Sequence, residues 1–194
     1  MEVVTDIDID VADRDIALKE LQHIPASRYD GSELRKHNVG VYFHNVPVDP
    51  ITGLASIDYT KADERGYFKI DILNLNVYKN VKNEEHLDKL VNTEPLWEML
   101  ENEDIVNQLF QMNGHYNIVN TMKPKTIMQL AMVLAMIRPA KSHLIGKSWD
   151  EVEKEIWVEP DNEKYFWKKS HAISYAMVVV VQMNLLVEEA LSGN

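Results

Sequence analysis

No cysteine occurs anywhere in the 194 residues. Disulfides and thiolate metal sites are thereby excluded, and a reducing, cytoplasmic setting is expected. Positive charge is also scarce: 20 Lys and Arg against 31 Asp and Glu leave a formal net charge of −11. A protein that coats nucleic acid needs clustered cations to meet phosphates, so that class is disfavoured. An enzyme whose acidic site is neutralised by bound metal remains open. The start of the chain carries Glu2 and Asp6 and lacks a basic segment followed by an apolar one, so no secretory leader is expected. No apolar run is long enough for a confident membrane span. The longest, Ala172 to Val187, contains Ser174, Gln182 and Asn184 and reads as a core helix. Repeats, low-complexity tracts and clear linkers are missing too. What is present is a 45% hydrophobic share, enough for a real core in one domain or two closely packed lobes.

The most informative stretch is Thr5 to Val11, where aspartates alternate with β-branched apolar residues. In a strand, residues two apart point to one side, so Asp6, Asp8 and Asp10 project together while Ile7, Ile9 and Val11 face a core. Three adjacent carboxylates repel one another, and a hard divalent cation such as Mg²⁺ relieves that repulsion. The competing reading is an acidic edge strand that discourages further sheet pairing.

After this strand, Ala12 to His23 reads as an amphipathic helix with Ile16, Leu18 and Leu21 inward. Pro, Ser, Asp and Gly make Ile24 to Gly31 a loop. Val39 to Phe43, Leu54 to Tyr59 and Tyr67 to Leu73 read as strands. In the last of these Tyr67, Lys69 and Asp71 share a side, either in solvent or in a polar site. From about Asn74 onward the pattern is helical. Lys125 to Ile137 is apolar almost all round and predicts a buried helix, with its methionines as core filler. Ser148 followed by Glu151 is a capping box, and a final helix runs from Ser170 to near Leu191. His37 reads as a packed or hydrogen-bonded histidine, not a zinc ligand.

Several segments in order resemble one family. Thr5 to Val11 with Arg14 and Asp15, His37 to Tyr42, Ile57 to Leu73, Leu109 to Met112 with Met128 to Pro139, and Lys168 to Ala176 are similar to motifs of the bacterial replicative DNA polymerase III α subunit, in its palm and fingers. The resemblance implies an α+β fold: a small nucleotidyltransferase-like sheet of the polymerase β-type palm over residues 1–78, and a helical, fingers-like part over 79–194. It implies two Mg²⁺ ions, or Mn²⁺ in their place, on Asp8, Asp10 and Asp71, with Asp6 behind them. Lys69, Lys169, His171 and Arg138 would then meet nucleotide phosphates or template. The family's longer inserts and its further domains have no counterpart within these residues, and the family's R-P-G-P-L becomes Arg138-Pro139-Ala140-Lys141.

The expected activity is therefore a Mg²⁺-dependent, DNA-polymerase-like nucleotidyl transfer from a dNTP to a DNA primer-template. The chain would be one part of a split or minimal polymerase, of the kind a virus encodes, with a partner polypeptide completing it and no membrane involved. Two alternatives stand beside it. One is a catalytically silent polymerase mimic that binds a replication protein, which the acidic charge favours. The other is a nucleotidyltransferase acting on a small molecule.

Overall fold

The computed structural model describes residues 7–159 and 166–193, so Asp6 lies outside the described residues. The chain is mixed α+β and divides into two compact units, Met1–Lys79 and Asn80–Asn194.

The first unit holds a four-stranded sheet in the order β1-β4-β3-β2, with β1 Ile7–Val11, β2 Ile24–Tyr29, β3 Leu34–Tyr42 and β4 Ile70–Asn74. β1 runs parallel to β4, while β4 with β3 and β3 with β2 are antiparallel. Helix α1, Arg14–Lys19, begins at Asp13, whose carboxylate accepts the amides of Asp15 and Ile16 at 3.1 and 3.2 Å. Its Leu18 packs with Val41 and Ile72 on one face of the sheet. Helix α2, Tyr59–Glu64, begins at Asp58 and packs Ala62 into a second cluster with Ala26, Tyr42, Val46, Ala55 and Ile57.

Several local expectations are corrected here. Ile24–Tyr29 is a strand and not a loop, because β3 supplies its partners. Pro25 is tolerated since β2 is an edge and the ladder breaks register beside it. Residues 54–59 form no strand. They make only isolated bridges at Ala55 and Asp58 before α2 begins. The first helix is shorter than expected, and Ile16 and Leu21 are 68% and 50% exposed, leaving Leu18 as the inward residue. On β1, Ile7 and Ile9 are partly exposed, since an edge strand is covered from one side only.

The second unit is helical: α3 Glu84–Asn92, α4 Glu103–Val106, α5 Tyr116–Met122, α6 Ile127–Met136, α7 Trp149–Glu155 and α8 Lys169–Ser192, with short 3-10 turns among them. Its centre is α6, where every residue from Leu130 to Met136 is buried, as an all-apolar helix requires. Ala172, Ala176, Val179, Val180 and Met183 of α8 share that core. By length and composition α8 is apolar enough to cross a membrane, with part of it buried inside this unit. At α7 the capping box forms: the Glu151 carboxylate accepts the Ser148 amide at 3.0 Å and its hydroxyl at 2.6 Å.

Candidate active site on the acidic face of the sheet

The parallel register pairs Asp8 with Asp71, and Asp10 with Leu73. Register partners point the same way, and Asp10 is two residues from Asp8, so Asp8, Asp10 and Asp71 share one face. Neighbouring strands lie roughly 4.8 Å apart. Carboxylates on paired residues of two such strands are close enough to share an ion whose oxygens stand about 2.0–2.1 Å away. Asp8 is exposed and Asp10 half-buried. Near Asp10 stands Tyr78, whose phenol is held above its ordinary value of 10.0 by burial and by the Asp10 charge.

At Asp71 the neighbouring charge is Lys69, two residues earlier and just before β4 begins. Its ammonium contacts the Asp71 carboxylate, and both side chains are largely covered. The lysine reaches this position because β3 offers no side chain at Gly40, the register partner of Asp71. A Cβ built at Gly40 would meet the Lys69 stem, Cγ at 2.9 Å, and the His37 Nδ1 at 2.8 Å. The same ammonium lies 5.7 Å from the centre of the Tyr59 ring.

His37 completes the polar cluster. Its Nδ1 accepts the Gly40 amide at 2.9 Å, so the ring's proton sits on Nε2. Its ring meets Tyr59 edge-on at 5.1 Å between centres. Burial, then the charge of Lys69, lowers the His37 pKa from 6.5. The imidazole is thus a neutral donor and adds no second positive charge beside Lys69. Beyond Gly40 on the same face, Tyr42 is pushed up to about 12 by burial and by Asp58, Asp63 and Asp71.

The donor set suits divalent metal in its backbone placement. Among the described residues, however, no group of three or more His, Asp or Glu side chains is gathered so as to hold an ion. Lys69 stands where such an ion's charge would act.

Arg138, Lys169 and His171 belong to the helical unit. The Arg138 guanidinium stacks 3.8 Å from the Trp167 ring centre and donates to Gln111 Oε1 at 2.6 Å. Lys169 is the exposed first residue of α8, and His171 is half-buried in its first turn. Sequence reasoning did not single out Gly40, Tyr59 or Asn74 for roles near the site. Asn74 accepts the Arg14 amide at 2.6 Å and so ties the start of α1 to the end of β4. A glycine inside a strand pattern is a signal for close approach by another group, and Gly40 carried it.

No known protein family matches this chain, and neither a curated protein nor a solved structure is significantly similar to it.

Proposed function

We propose that the first unit is a metal-dependent nucleotidyltransferase palm of the DNA polymerase III α type, part of a split or minimal polymerase acting on dNTP and a primer-template. One observation carries the reading: parallel β1 and β4 put Asp8 opposite Asp71, with Asp10 two residues along the same face. Asp8, Asp10 and Asp71 would hold a pair of Mg²⁺ ions, or Mn²⁺ in their place. Bound there, such ions activate a 3′-hydroxyl and neutralise a triphosphate. Lys69 lends positive charge to phosphate oxygens beside Asp71. Neutral His37 contributes a donor at Nε2 and holds the β3 backbone through the Gly40 amide. Arg138, Lys169 and His171 are the candidates in the helical unit for further phosphate or template contacts.

The test is incorporation of labelled dNTP on a primed template with Mg²⁺ or Mn²⁺. We expect incorporation by the native chain, alone or with its completing partner, and its loss in Asp8→Asn/Asp71→Asn. Activity unchanged in that double variant ends the assignment.

The Lys69–Asp71 ion pair favours a second reading, a catalytically silent mimic that docks on a replication protein. That reading predicts no incorporation under any metal, and retained capture of the replication protein by the double variant.

A further inference from the structure

Tyr59 borders two features. Its ring meets His37 and Lys69 of the acidic face. It also lines an open groove of about 780 Å³, together with Tyr29, Leu34, Ile57, Lys61 and Arg65. Tyr29 is 59% exposed, and Leu34 and Tyr59 are more than one-third exposed. Lys61 lies in α2 and Arg65 caps its end, four residues on, so both charges stand on one side of that helix. Neither has an ion-pair partner among the described residues, whereas Arg35 and Lys69 are paired.

The acid in this groove is already engaged. Asp58 accepts the Tyr29 amide at 2.6 Å and the Thr60 amide at 2.9 Å, along with the Thr60 hydroxyl. Desolvation alone would raise its pKa, but these hydrogen bonds outweigh it and lower the value. Its charge is thus spent on fixing α2 against β2.

Exposed aromatic faces beside unpaired cations are the chemistry that seats bases and phosphates of a single strand, with little regard to sequence. We infer that this groove binds single-stranded nucleic acid, with bases against Tyr29 and Tyr59 and phosphates at Lys61 and Arg65. The inference rests on the nucleotidyltransferase reading, since Tyr59 connects the groove to the acidic face and the strand would run from one to the other. The net charge of −11 opposes binding elsewhere on the chain, so attraction is concentrated where the local cations stand free.

Fluorescence anisotropy of a labelled oligothymidylate of roughly 12 nucleotides, titrated with the full chain at low salt, tests this. The native chain is expected to bind, with affinity falling as salt rises. Tyr29→Ala is expected to weaken binding about five- to a hundred-fold, with Tyr29→Phe close to native. Lys61→Glu/Arg65→Glu should weaken binding and flatten its salt dependence. Circular dichroism confirms that each variant is folded. No binding by the native chain at low salt, or equal binding by all folded variants, overturns the groove. Groove-dependent binding by a native chain that incorporates no nucleotide with Mg²⁺ or Mn²⁺ upholds the groove and removes the catalytic reading. Incorporation together with unaltered binding in the groove variants does the reverse.

Discussion

Gly40 shows how much one missing methyl group decides. Its amide holds His37, and the space where its Cβ would stand carries the stem of Lys69. Gly40→Ala is expected to push Lys69 away from Asp71 and to cost about 1–3 kcal/mol of stability through overpacking. Urea denaturation measures the second effect, and lysine-selective NMR titration the first. His37 gives a pH signature. Its folded pKa lies below 6.5, because burial and Lys69 disfavour the imidazolium. The stabilisation is complete above the unfolded value and is lost as pH falls through the lowered folded one. Melting temperature should therefore drop from about pH 7 to about pH 5, and His37→Gln should flatten that drop. A variant with native steepness shows that the proton uptake belongs to another group.

Among the elements, α3 and α8 are joined by two polar clips. Asn184, buried in α8, donates to the carbonyls of Leu90 and Thr93 at 2.8 and 2.9 Å, satisfying the end of α3. Asn184→Ala leaves those acceptors bare and should cost about 1–3 kcal/mol, with faster amide exchange confined to the α3 end. Glu188 accepts from Lys89 at 2.6 Å and faces His86 at 2.8 Å, and its pKa falls from 4.5 to about 2. That contribution is present above the ordinary carboxylate range and vanishes as pH drops towards 2. Glu188→Gln should therefore be less stable than the native chain near neutral pH, the two converging in urea denaturation as pH drops towards 2. The same elements show what the sequence made legible. Helix α6 was plain because seven successive apolar residues admit no exposed face, and α7 because Ser148 and Glu151 carry their own cap. β2 was hidden because Pro, Ser and Asp argue for a loop locally, while its hydrogen bonds come from β3, several residues away. The acidic side of β1 followed from its period of two, and Asp71 from the order of the motifs. Gly40 signalled a close approach, but that Lys69 is the group that fills it depends on a register between β3 and β4, thirty-odd residues apart, which no local pattern gives.

At the level of the whole molecule, the two units differ in how much they bury. The helical unit has one large cluster built on α6 and α8, whereas the sheet unit relies on two small ones. We expect calorimetry to show two transitions, with the sheet unit melting first, because smaller cores leave less apolar surface to protect. Divalent cation that binds the acidic face should raise only the lower transition, by mass action, and Asp8→Asn/Asp71→Asn should abolish that rise. An equal shift of both transitions by Mg²⁺ speaks against specific binding at these carboxylates.

The enclosure of α6 has a consequence for how the chain is made. Seven neighbouring residues with no wettable side emerge from the ribosome well before the helix that covers them, since α8 starts at Lys169. Until then they are a sticky segment in search of cover, open to chaperone capture or self-association. Chains truncated before α8 should accumulate as insoluble material, while the sheet half of the same chains can still fold.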